Sequence, residues 1–184
     1  MRILSITAQK PNSTGSGVYL TELVKEYALM GHEQAVIAGV HQEDLTELPE
    51  GVDFYPVYFE NEELPFPIVG MSDEMPYRST RYCDLTPEMA ARFERVFLGV
   101  MERAVKEFKP DLVLCHHLYL LTAILRAHYK ELCIYGFCHN TDLRQMVKTD
   151  LKRGFIKEQI PKLDRIFVPQ DAQREGVLKI YGAD

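Results

Sequence analysis

Six short apolar runs, at residues 3–8, 35–40, 52–58, 112–115, 132–138 and 165–168, alternate with stretches whose apolar residues recur every three or four positions. Most of these runs are apolar at odd and even positions alike, as in Ala35-Val36-Ile37-Ala38, so the strands they form must be covered on two sides. Such a chain folds as a parallel sheet between helical layers, and right-handed crossovers leave few strand orders open. The expected architecture is therefore a Rossmann-like, doubly wound α/β domain with helices on both faces. It is read as a single domain over residues 1–184, with strand order 3-2-1-4-5-6.

Helix signals agree with this alternation. Val18, Leu20, Leu23, Val24, Tyr27, Ala28 and Met30 follow a helical period and stop at Gly31. Thr86 reads as an N-cap with Pro87 in the first helical position, and Met89, Phe93, Phe97, Val100, Ala104 and Phe108 line one face of the helix that follows. Further helices are expected over 118–128, 143–159 and 172–181. Residues 60–85, with Pro65, Pro67 and Pro76 and no periodicity, are expected to form a long irregular loop.

The chain has 184 residues and a formal charge of −6. It is long enough to bury roughly 70% of its unfolded surface without a disulfide or metal staple. The acidic balance argues against a nucleic-acid partner. Eight acidic residues and no Lys or Arg fall between Glu43 and Glu63, whereas Arg144 to Lys179 holds nine basic residues against five acidic, so an anionic ligand is expected away from the first stretch. Cys83, Cys115, Cys133 and Cys138 lack framework spacing and read as reduced thiols. With no apolar run near the roughly 20 residues that cross a bilayer, and a first run too short for a secretory leader, no transmembrane segment and a cytoplasmic compartment are expected.

In the expected strand order, the turns after strands one, four and five border one crevice at the switch point. They carry Thr14-Gly15-Ser16-Gly17, His116-His117 and His139-Asn140-Thr141-Asp142. Gly15 and Gly17 allow close backbone approach at a helix start, which suits a phosphate; a purely structural Gly-Ser turn is the alternative. His139 is positioned to polarise or hydrogen-bond a substrate, or else is a turn histidine bonded to backbone. Asp142, or Thr141, could be the N-cap of the next helix. His116 and His117 are adjacent, so in an extended segment at most one faces the crevice.

Other chemistries fit poorly. Leu20 stands where the third glycine of a dinucleotide fingerprint belongs, and no Gly-Lys-Ser/Thr marks a P-loop. Cys133 and Cys138 are an odd number of positions apart on one run, and no C-x-x-C or H-x-x-x-H pair occurs, so no metal is expected. No G-x-S-x-G elbow is present. Arg78 and Arg81, like Arg144 and Lys148, could meet an anionic substrate or belong to a solvated surface. Glu94 and Glu102 are read as surface charges on a helix.

The opening strand, Gly15-Ser16-Gly17-Val18, Gly31-His32-Glu33, Pro110-Asp111-Leu112-Val113 leading to His116-His117, His139-Asn140-Thr141-Asp142-Leu143-Arg144 and Tyr181-Gly182 occur in this order along the chain. In that order they resemble the amino-terminal domain of a GT-B glycosyltransferase of family 4. The resemblance implies sugar transfer from a nucleotide-sugar co-substrate to a small-molecule or glycan acceptor, with retention and with no metal or other cofactor. It assigns Gly15, Ser16 and Gly17 to the donor diphosphate and His139 to the transferred sugar. The acceptor side falls to Arg78, His116, His117, Asn140, Thr141, Asp142 and Arg144. It also implies a separate carboxyl-terminal domain that binds the nucleotide sugar and is not among these residues, so that this chain alone would be inactive. A stand-alone phosphate- or small-molecule-binding module of flavodoxin-like type and a GT-B-like sugar-nucleotide epimerase are the rival readings. An epimerase would want acidic residues in the cleft, where the His139 turn offers only Asp142.

Overall fold

A computed structural model describes residues 1–182, and the last two residues of the expected 1–184 domain lie outside the described residues. The chain begins β1 (Arg2–Thr7), α1 (Gly15–Leu29), β2 (Glu33–Val40) and β3 (Asp53–Tyr58). An excursion containing β4 (Val69–Gly70) and β5 (Thr80–Arg81) leads to α2 (Pro87–Phe108) and β6 (Leu112–His116). There follow α3 (Leu120–His128), β7 (Ile134–Phe137), α4 (Thr141–Lys148), α5 (Arg153–Gln159), β8 (Arg165–Phe167) and α6 (Asp171–Tyr181). One six-stranded sheet runs β3-β2-β1-β6-β7-β8, parallel throughout. This is the expected order once β4 and β5, which pair only with each other, are set aside.

Alternate residues of the strands serve two cores. Leu4, Ile6, Ala35, Ile37, Val113, Cys115 and Ile134 face the larger one, shared with Phe93, Phe97 and Met101 of α2 and Leu121 and Ile124 of α3. Val36 and Ala38 pack on Leu20 and Val24 of α1, and Ile3, Leu114 and Phe137 on Leu23 and Tyr27. Burial of a side chain such as Phe93 or Phe97, each almost without exposure, contributes roughly 1.5–3 kcal/mol. Helix α2 begins as its sequence dictates, with Thr86 Oγ1 accepting from the Met89 amide at 3.2 Å and proline in the first turn. It ends at Lys109, whose backbone is left-handed (φ 52°), ahead of Pro110. Asp111 then accepts from the Arg2 amide at 2.7 Å, which fixes the entry of β6 beside β1.

Two segments depart from expectation. Residues 60–85 are largely irregular, as expected, but carry β4 and β5 and bury Leu64, Phe66, Ile68, Val69, Met71 and Tyr82 in the main core. Their spacing shows no period since each packs individually, in an extended path punctuated by proline. The helix expected over 143–159 is two helices. At Thr149 the chain turns extended (φ −128°, ψ 146°), Thr149 Oγ1 accepts from the Leu151 amide at 3.1 Å, and Lys152 is left-handed (φ 46°). The Arg153 guanidinium donates to the Val147 and Thr149 carbonyls, satisfying acceptors that the broken helix leaves open.

Candidate functional site

The turns after β1, β6 and β7 meet at the switch point. Thr14 caps α1, its Oγ1 accepting from the Gly17 amide at 3.1 Å; the first-turn amides of Gly15 and Ser16 have no partner within the helix. The two glycines differ. A Cβ at Gly15 would meet nothing within 4 Å, whereas one at Gly17 would lie 2.7 Å from the Lys10 carbonyl oxygen and 3.1 Å from the Asn12 nitrogen. Gly17 is buried and required by the fold of its own loop. Gly15 is the glycine with open space beside it.

His117 and His139 flank the same space. His117 departs from extended geometry, with φ +77°, a conformation uncommon outside glycine that must be held by its surroundings. Its amide donates to the Phe137 carbonyl at 3.1 Å, and its carbonyl accepts from Thr122 Oγ1 at 2.6 Å. The ring lies 2.7 Å from Gln9 Nε2, 3.1 Å from Ser16 Oγ and 3.4 Å from Thr141 Oγ1. This turn also lets both neighbouring histidines reach His139. His116 Nδ1 is 3.2 Å from His139 Nε2, and the His117 and His139 ring centroids are 4.8 Å apart. His116 is itself a packing residue, sandwiched between Phe137 at 5.1 Å and His139 at 5.4 Å. The stack continues to Phe167, 5.0 Å from Phe137, and Tyr19 stands edge-on to His139 at 5.5 Å. Burial lowers all three histidines: His139 to about 4, His116 and His117 well below the usual range with the neighbouring imidazoles adding to the effect. The cluster is neutral at pH 7.

Asp142 is not the N-cap of α4, a position that Asn140 takes, and it is completely buried. Its Oδ2 accepts from the Leu118 amide at 2.8 Å and the His139 amide at 3.2 Å, and Oδ1 from the Leu143 amide at 3.1 Å. Desolvation raises its pKa against those amide bonds. The carboxylate thus clamps the β6–α3 turn to the β7–α4 turn. Tyr181 fastens the same place from α6, its hydroxyl donating to the Leu118 carbonyl. Asn140, at the start of α4, takes a left-handed φ of 68° without a side-chain cap bond; it shapes the turn.

The resulting pocket, about 290 Å³, is lined by Gln9, Gly15, Ser16, His117, His139 and Thr141 from the turns and by Met71, Ser72 and Met75 from the excursion. A second, apolar pocket of about 290 Å³ shares Gly15 and His139 and is walled by Tyr19, Phe137, Phe167 and Pro169. Arg78 and Arg144 line neither. Arg78 is 78% exposed and paired with Glu60 at 3.0 Å; Arg144 lies in a depression between α4 and α6 with Val147 and Ile180. Gln9 and the excursion residues were not expected. Nothing local marks them, since they join the site only through chain folding, although Gln9 lies two residues past the buried end of β1. Among the described residues no group of three or more His, Cys, Asp or Glu is placed to hold a metal ion, and no helix is long and apolar enough to cross a membrane.

A six-stranded, doubly wound parallel sheet with a pocket at the switch point is a Rossmann-like α/β fold. The family model for Glycosyltransferase Family 4 matches residues 13–184, and the chain belongs to that family. No curated protein matches it. Among solved structures, sucrose-phosphate synthase from Thermosynechococcus elongatus superposes with TM-score 0.66 at 13% identity, covering 100% of this chain and 45% of that one. A protein described as a UDP-N-acetylglucosamine 2-epimerase, from Listeria monocytogenes, gives 0.57 at 14% identity over 100% and 43%. UGT73P12 from Glycyrrhiza uralensis, complexed with glycyrrhetinic acid 3-O-monoglucuronide, gives 0.55 at 11% over 100% and 47%. The chain thus spans less than half the length of these structures. At such identities they share its fold, which serves transferases and an epimerase alike; the family match is what separates them.

Proposed function

We propose that this domain forms the acceptor side of a glycosyltransferase that moves a sugar from a nucleotide-sugar donor to a small-molecule or glycan acceptor, with retention, without a metal, and in the cytoplasm. The convergence of the α1 amino terminus, His117 and His139 on one pocket is the observation that carries it. In this reading the Gly15 and Ser16 amides and the α1 dipole favour the donor diphosphate. His139 hydrogen-bonds the transferred sugar or its leaving phosphate. Being neutral, it acts through an oriented hydrogen bond, with His116 holding one ring nitrogen, and gains strength as charge develops. A carboxyl-terminal domain carrying the nucleotide site completes the cleft, so the 184-residue chain alone folds and transfers nothing. An epimerase is disfavoured because the carboxylate of the His139 turn, Asp142, is sealed from the pocket.

The test is transfer by the two-domain enzyme from a set of nucleotide sugars in excess EDTA, with the anomeric configuration of the product read by NMR. Retained configuration and unchanged rate are expected. Inversion, loss of activity on chelation, or turnover by the 184-residue chain alone would each contradict the corresponding part of the proposal.

A further inference from the structure

We infer that the acceptor half of the crevice takes a neutral monosaccharide ring, its hydroxyls on the wall of Gln9, His117 and Thr141 and its C–H face against Met71 and Met75. This rests on the transferase reading and adds the chemical class of the acceptor.

The two walls differ in chemistry. One presents an amide, an imidazole and a hydroxyl within hydrogen-bonding distance of one another; these groups can both donate and accept, as sugar hydroxyls require. The other is contributed by the excursion, whose Met71 carbonyl is held by Gln145 Nε2 at 2.8 Å. Met75 packs over Gly70, where a Cβ would come within 2.6 Å of its Cγ. Thioether side chains offer an apolar, adaptable surface that fits the C–H face of a sugar. The whole pocket, the donor side at Gly15, Ser16 and His139 included, is about 290 Å³, at the lower end for ligand sites, so the acceptor side has room for a small group and not for an extended glycan.

Charge decides against a phosphorylated ring. No Lys or Arg lines this pocket. Of the cations on the elements around it, Lys10 is matched with Asp44 at 2.5 Å, Arg78 with Glu60 at 3.0 Å and Lys148 with Asp73, while Arg144 of α4 lines the separate depression with Val147 and Ile180. The α1 amino terminus, which favours an anion within the pocket, belongs to the donor in this reading. A phosphate on the acceptor would be desolvated with no cation in the pocket lining to receive it.

The test is saturation-transfer NMR on the 184-residue chain with glucose, galactose, mannose, fructose and N-acetylglucosamine, each beside its 6-phosphate. At least one neutral sugar should bind about tenfold or more tightly than its own phosphate, the discrimination expected when one isomer leaves a charge unpaired. Met75→Lys, at a half-buried position, should narrow or reverse that ratio. Equal or tighter binding of the phosphates, no binding of any neutral sugar, or an unchanged ratio in Met75→Lys would overturn the inference. Preference for a phosphate would leave the transferase reading intact, since transfer to a phosphorylated acceptor is still transfer. That reading stands or falls on the two-domain kinetics.

Discussion

Gly15 and Gly17 are two residues apart and have opposite roles. Gly17→Val would drive methyl groups into the Lys10 carbonyl, already 2.7 Å from a Cβ alone; overpacking against backbone costs roughly 1–3 kcal/mol, and a lower melting temperature is expected. Gly15→Ala, with open space around it, should leave the melting temperature unchanged or slightly raised, since alanine is the better helix former, while weakening donor binding. Equal thermal effects of the two substitutions would refute this division. The histidines make a separate prediction. Each has a lower pKa folded than unfolded, so the unfolded chain binds more protons below about pH 6.5. Their contribution is complete above that value and is lost as pH falls through it toward the folded pKa, by up to about 1.4 kcal/mol per pH unit for each. Urea midpoints should therefore drop from pH 7.5 to 5.0, and drop less in His116→Phe, which keeps a ring between Phe137 and His139. Equal midpoints at the two pH values in the parent would show that the cluster is not held neutral.

At the scale of elements, the excursion and α4 act together through the Gln145–Met71 bond. Gln145→Leu leaves the Met71 carbonyl unpaired in a buried place, at a cost of about 1–3 kcal/mol. Hydrogen exchange should speed up over residues 69–81 and stay unchanged in β1 and β6; uniform acceleration would mean that the bond supports the whole fold. Strands β1 and β2 and helix α2 were legible because a buried parallel strand and an amphipathic helix each repeat a signal over many residues. The excursion was not, since its buried residues follow no period, and neither was the break at Thr149, made by one hydroxyl and one arginine. Of the site, the turns after β1, β6 and β7 could be read as soon as strand order was inferred. The sidedness of the histidines needed the left-handed backbone of His117, and the burial of Asp142 needed its three amide partners. Neither is written in local sequence.

At the scale of the molecule, a six-stranded sheet serves to bring three loops from distant parts of the chain to one place, and long-range ties hold them there. Asp142 and Tyr181 clamp the turns, His117 is fixed in a strained conformation, and His139 is oriented by a neutral partner. Preorganisation of this kind is worth most where charge develops during reaction. The direct measurement is steady-state kinetics of His139→Ala in the two-domain enzyme, with donor and acceptor varied separately. A fall in kcat on the order of 10²-fold, exceeding any rise in acceptor KM, is predicted for a lost transition-state hydrogen bond. A kcat within about twofold of the parent would show that His139 only shapes its turn, and would contradict the site proposed for sugar transfer.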